Sequence, residues 1–308
     1  MDKIETPLIF TAAELMKLKF PEPKWLIDDL LPEGVTVLSG APKIGKSWLS
    51  LQIALSISTS GRLFGSTSST GKRVLLLALE DNSRRLQERI IKSTLPASDK
   101  FVLTTEWTTG ITGLKTYLEQ SLPFDLCIID TFGVFLPGQD TKGRNAYDAD
   151  VARMRQIHML CKATETSLLL IHHDKQGDDG DWANKMNGSS GIIGTADTLM
   201  RLSVQQRGEK KAKLQVTGRD VEDIELSLKL NEKVMQWQID KNQDETPLTG
   251  LQKSVLDLVP EETTSTKSSI IASKLNKEQS QISDILKKLK VKGYIYNPQY
   301  GEYTKTGS

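Results

Sequence analysis

Apolar residues along the chain fall into two alternating rhythms. Continuous aliphatic runs occur from Val35 to Gly40, Lys72 to Leu79, Phe124 to Ile129 and Ser167 to Ile171. Runs of this kind fit strands buried on both faces of a parallel sheet. A shorter one covers Phe101 to Thr104. Helical spacing fills the intervals, over Trp48–Ile57, Ser83–Ile91, Ile111–Leu122 and Asp148–Thr164. Strands alternating with helices predict an α/β protein with a mainly parallel central sheet. The rhythm changes near residue 198. Thr198–Val204, Ala212–Thr217, Ile224–Leu230 and Met235–Ile239 are β-like runs separated by polar turns, which predicts antiparallel hairpins at one edge of that sheet.

Both ends read differently. Thr11 to Leu18 is a short helical pattern, with Thr11 and Glu14 spaced as a capping box. Pro21, Pro23 and Trp25 then lead into the first strand. Ser60 to Gly71 reads as a loop. Lys241 to Pro247 is a polar linker. Beyond it lie three amphipathic helices, Leu251–Val259, Thr266–Leu275 and Gln279–Lys290, and a hairpin between Gly293 and Tyr303. That order predicts a winged helix. The expected organisation is a leader (1–34), an α/β core (35–240), a linker (241–250) and a winged-helix domain (251–308).

The chemistry begins after the first run. Gly40-Ala-Pro-Lys-Ile-Gly-Lys-Ser47, with Trp48 opening the helix behind it, has the Walker A spacing between a strand and a helix. Gly40 and Gly45 let the loop between them, Ala41, Pro42, Lys43 and Ile44, fold so that its N–H groups (Pro42 has none) form a nest, and the helix adds its positive end. Lys46 is placed to reach phosphates and Ser47 to bind Mg²⁺. The run ending in Asp130 has Walker B form, a carboxylate at a strand tip that supports Mg²⁺ beside Ser47. His172 and His173 end another strand. Asp174, Asp178 and Asp179 beside them have no defined ligand spacing, so phosphate sensing and loop packing stand ahead of a metal site among the three readings. Lys175–Gly188 is polar and expected to order only with a ligand. Asn187–Gly194 is either a backbone grip or a connector.

Composition narrows the class. The 308 residues carry 40 Lys and Arg against 39 Asp and Glu, a net charge of +1, so any nucleic-acid surface must be local. From Leu251 onward nine lysines face six acids, an excess of 9 − 6 = +3 that suits phosphate contacts or a merely solvated face. Cys127 and Cys161 lie in apolar runs without metal spacing and read as reduced core residues. No run approaches the roughly 18 residues a membrane helix needs, and the start is no signal peptide. A cytoplasmic protein with no membrane partner is expected.

The order of Walker A, a strand ending in Glu80-Asp81, Walker B at Asp130, a strand ending in His172-His173 and then Gly188-Ser-Ser resembles the RecA-fold ATPases. Among these it is similar to the RepA-type hexameric replicative helicases, over about residues 20 to 230. The resemblance implies ATP with Mg²⁺, a homo-hexameric ring and single-stranded DNA. It implies Glu80 as the base that activates water, and His172 or His173 as the γ-phosphate sensor. It also implies an arginine supplied by the neighbouring subunit, for which Arg201 matches best, then Arg219, with Arg207 the third candidate. The leader then packs on its own core or reaches a neighbour. Two departures stand out: Lys43 where the family often has glycine, and the added C-terminal unit. The alternatives are a DNA-binding ATPase regulator or accessory, in which the winged helix reads duplex, and a metabolite kinase.

Overall fold

A computed structural model describes residues 10–19, 24–67, 71–136, 146–173, 191–204, 210–221, 223–240, 249–261, 264–298 and 301–306. The core strands are β1 (Val35–Ser39), β2 (Val74–Ala78), β3 (Phe101–Thr104), β4 (Leu126–Asp130), β5 (Ser167–Ile171), β6 (Thr198–Ser203), β7 (Lys211–Gly218), β8 (Ile224–Asn231) and β9 (Gln236–Ile239). They form one nine-stranded sheet in the order β9-β8-β7-β6-β1-β5-β4-β2-β3. The segment from β3 to β6 is parallel throughout, and β6 to β9 is an antiparallel meander. The α/β expectation with antiparallel hairpins at one edge holds.

Each parallel strand feeds both layers because successive side chains leave opposite faces. In β1, Leu38 packs with the helix that follows it, whereas Val35 and Val37 face the other layer. The first layer holds α1 (Lys46–Ser58) and α2 (Ser83–Ser93); the second holds α3 (Gly110–Gln120) and α4 (Ala146–Thr164). Helix α1 has no polar face. Leu49, Leu51, Ile53, Leu55 and Ile57 are all buried, each contributing roughly 1.5–3 kcal/mol of transfer free energy. Its Gln52, also buried, is satisfied by the backbone of Trp237 in β9, donating to the carbonyl at 3.0 Å and accepting from the N–H at 2.9 Å.

The leader divides. Leu26, Ile27, Leu30 and Leu31 join the first layer of the core. The helix Ala12–Leu15 has the expected Thr11–Glu14 capping box, but buries none of its residues and stops short of Leu18. The stretch read as a loop from Ser60 contains a small hairpin, Arg62–Leu63 with Ser66–Thr67. Its two strands fall in a Gly/Ser/Thr-rich stretch whose period is too short to register as a pattern.

Toward the C-terminus come α5 (Gly250–Leu258), a strand Thr266–Lys267, α6 (Ser268–Leu275), α7 (Gln279–Val291) and strands Ile295–Tyr296 and Glu302–Lys305. Thr266 and Lys267 begin as strand, not helix, because they pair with Tyr303 and Glu302. Val255, Ile271, Ile282, Leu286, Leu289 and Ile295 form a separate apolar cluster. Two of the contacts between this unit and the core join described side chains. Lys290 Nζ lies 2.7 Å from Asp29 Oδ2, and the Arg62 guanidinium lies 3.5 Å from the centre of the Tyr296 ring.

Among the described residues no helix is long and apolar enough to cross a membrane. Both cysteines are free; Cys127 is buried and Cys161 half-buried. Burial pushes both thiols up, that of Cys161 to about 11.

Candidate functional site at the phosphate loop

The loop from Gly40 to Ser47 leaves the carboxyl end of β1 and turns into α1. Glycine is required at both bends. A Cβ on Gly40, at φ +151°, would stand 2.4 Å from the Leu202 carbonyl oxygen of the adjacent β6. Gly45 has φ +101° and lies against the Trp237 indole. Lys43, at φ +65°, occupies the left-handed region that glycine ordinarily fills, which accounts for the departure noted in the sequence at a strain cost of about 1 kcal/mol. Ala41, Pro42 and Lys43 are exposed at the rim.

Lys46 is 4% exposed, and its ammonium is turned back into the loop. Nζ donates to the carbonyl oxygens of Gly40 (2.7 Å) and Ala41 (2.8 Å) and to Nδ1 of His173 (3.0 Å). Nδ1 therefore accepts, and the ring proton of the neutral imidazole sits on Nε2. That nitrogen lies 3.7 Å from Glu80 Oε1. The same Glu80 oxygen accepts from the Thr131 hydroxyl at 2.8 Å. Of the histidine pair, His173 is thus the one in contact with the loop; the His172 N–H donates to the Leu38 carbonyl and continues the β1–β5 ladder.

Parallel register brings the two acidic strand tips together, with Asp130 opposite Ala78, two residues before Glu80. Asp130 is 6% exposed, and the nearby Ser47 side chain favours its charged form. Burial raises its carboxyl above the ordinary value; Glu80 adds to this, whereas Ser47, Lys46 and Arg89 oppose it. Its Oδ1 is buried with no hydrogen-bond partner among the described residues. A buried, under-satisfied carboxylate beside a serine hydroxyl is a donor set that fits a divalent cation such as Mg²⁺. Asp81, the second member of the acidic pair, has a different task. It is ion-paired with Arg85 at 3.2 Å and with Arg89 on α2, and Arg89 lies 5.4 Å from the Trp48 ring centre.

Arg201 and Arg219 stand at different levels of the sheet. Arg201 in β6 is in register with Ser39, the residue before the loop. Arg219 lies past the end of β7 at the opposite ends of the strands, held 3.1 Å from Asp197 Oδ1. Asp197 Oδ2 in turn accepts from the Val35 N–H at 3.0 Å. Arg207, the Lys175–Gly188 segment, residues 187–190 and the Lys241–Pro247 linker lie outside the described residues, and Gly191–Thr195 forms a short helix. Sequence reasoning missed Trp237, whose indole N–H donates to the Gly45 carbonyl at 3.2 Å. Nothing in a tryptophan within a β-like run signals which loop it backs.

A phosphate loop at the carboxyl end of a central parallel strand, with acidic tips on the strands beside it, defines the P-loop class of α/β proteins. Within that class the chain belongs to the AAA domain family, whose model matches residues 4–179. No curated protein matches the chain. Among solved structures it is similar to the RadB recombinase, at 12% identity and a TM-score of 0.46, covering 70% of this chain and 92% of that one. It is also similar to the KaiC-like protein PH0186 of Pyrococcus horikoshii OT3, at 13% identity and a TM-score of 0.46, covering 70% and 93%.

Proposed function

We propose that the protein is a RecA-fold ATPase that uses Mg²⁺, with its site in Gly40–Ser47, Glu80, Asp130 and His173. The observation that carries this reading is the connected line Lys46–His173–Glu80–Thr131, which joins the phosphate-binding lysine to the carboxylate facing it. In this reading the loop N–H groups and Lys46 bind the β- and γ-phosphates of ATP. Ser47 and Asp130 hold Mg²⁺, which when bound neutralises charge on the phosphates. Glu80, half-exposed at the strand tip, orients a water and accepts its proton, and a neighbour's arginine, Arg201 first and Arg219 second, offsets the developing charge. The Glu80→Gln variant tests it. Binding of ATP should persist, and hydrolysis should fall by about a hundredfold or more. A wild-type rate would refute the assignment.

The wider role we propose is a DNA-acting ring, a homo-hexamer of RepA-helicase type that takes single-stranded DNA. It rests on the sequence resemblance, and the particle mass with and without ATP and single-stranded DNA tests it; a monomer under every condition removes the ring. A second reading, a DNA-binding ATPase regulator without unwinding, has its own support. The C-terminal order of helix, strand, two helices and two strands around its own apolar cluster suits a winged helix, with Lys287 and Lys288 on α7 at or near the surface. That division supports domain limits near 35–240 and 251–308. Strand separation on a forked duplex favours the motor, and DNA-stimulated hydrolysis without it favours the regulator.

A further inference from the structure

Strand β9 is the outer edge of the sheet, four strands away from β1, yet it touches the phosphate loop directly. The connection is Trp237, which is 2% exposed. Its indole N–H donates to the Gly45 carbonyl, the last peptide of the loop before Lys46, at 3.2 Å. The ring also fills the space where a Gly45 side chain would stand, with Cζ2, Nε1 and Cε2 at 2.9, 3.2 and 3.3 Å from that position. Gln52 on α1 then grips both polar groups of the Trp237 backbone. Tryptophan and α1 are therefore bound to each other at two levels, once at the first turn of the helix and once further along it. A β9 built only to close the sheet would need neither bond.

We infer that Trp237 is a positioning residue of the phosphate loop. It holds the Gly45 peptide in its left-handed turn so that the N–H groups of Lys46 and Ser47 face the phosphates before nucleotide arrives. The physical basis is pre-organisation. A loop already fixed in its binding shape loses less conformational freedom when phosphate enters, and that saving appears as affinity. The indole does not touch the nucleotide in this scheme. It acts through Gly45, and its influence falls on diphosphate and triphosphate alike, because it sets the loop rather than sensing the terminal phosphate.

The inference rests on reading Gly40–Ser47 as a phosphate site, and the experiment separates the two. Full-length protein carrying 5-fluorotryptophan gives a fluorine signal for each of the five tryptophans. The Trp237 signal is assigned by elimination from Trp→Phe variants at the other four positions, so the assignment survives even if Trp237→Phe fails to fold. Saturating Mg·ADP should shift the Trp237 signal, although the ring is buried. Calorimetry should show Trp237→Phe binding ADP about fivefold more weakly, the loss of one net hydrogen bond, and ATP more weakly by the same factor. A Trp237 signal unmoved by bound ADP, or unchanged affinity in a folded Trp237→Phe protein, overturns the inference alone. Absence of any ADP binding by the unsubstituted protein overturns the phosphate-site reading with it.

Discussion

The Lys46 ammonium and the His173 imidazole are hydrogen-bonded at 3.0 Å, which ties the lysine of the phosphate loop to a strand-tip side chain. If nucleotide binds through Lys46, its phosphates compete with His173 for the ammonium. Removing His173 removes this competition, and His173→Ala should bind ADP several-fold more tightly, by the net value of about one hydrogen bond. If His173 senses the terminal phosphate, ATP should gain less than ADP. Titration calorimetry with both nucleotides checks this; equal changes for the two would deny His173 a sensing role.

Arg201 lies in register with Ser39, whereas Arg219 is ion-paired to Asp197 at the far strand ends. If Arg201 serves a neighbour's site, Arg201→Ala and Lys46→Ala subunits are each inactive alone but complementary. Mixing them should restore part of the ATPase activity at interfaces that combine one intact loop with one intact arginine. No recovery at any ratio, with assembly verified, counts against Arg201.

Asp130 gives a pH prediction. Its folded carboxyl is raised above 3.8 chiefly by burial, so the folded state keeps a proton that the unfolded chain has released. Stability of the nucleotide-free protein should therefore fall as pH rises from about 3.8 through the raised value. Asp130→Asn should flatten that segment of the profile and melt higher than wild type at neutral pH without metal. It should also lose the extra stabilisation that Mg·ATP gives wild type. Thermal melts across pH, with and without Mg·ATP, measure both effects.

The Lys290 side chain is 7% exposed and its partner Asp29 is 45% exposed. Asp29→Ala removes the 2.7 Å ion pair of a buried ammonium at the seam between core and C-terminal unit and leaves Asp28 as the nearby acid. Allowing for solvent screening at Asp29, the cost should be about 1–2 kcal/mol. Faster protease cleavage between β9 and α5, with ATPase activity retained, would show it; unchanged cleavage would mean that Arg62 on Tyr296 suffices.

Much of this was legible because the informative residues are local. The run Phe101–Thr104 is bounded by polar residues and is a strand over those same positions. The Walker spacing identified the loop, and Glu80-Asp81 marked a strand tip. The resemblance singled out Glu80 of that pair; what the sequence did not show is that Arg85 and Arg89, one and two helical turns later, pair with Asp81. Which histidine faces Lys46 likewise depends on strand alternation at the end of β5, where one position either way reverses the side chain. Trp237 was illegible because it lies 192 positions from Gly45 in the chain. Thr266 was misread because its pairing with Tyr303 overrides a helical pattern.

Helix α1 starts at the phosphate loop and ends at Ser58, four residues before Arg62, the residue that holds the Tyr296 ring. Thirteen residues make a rod about 20 Å long, packed on every side. A rod so enclosed moves as a piece or not at all. Its two ends thus lie beside the phosphate loop and beside the turn that leads to the Arg62–Tyr296 contact, so a shift of the whole rod would disturb both places at once.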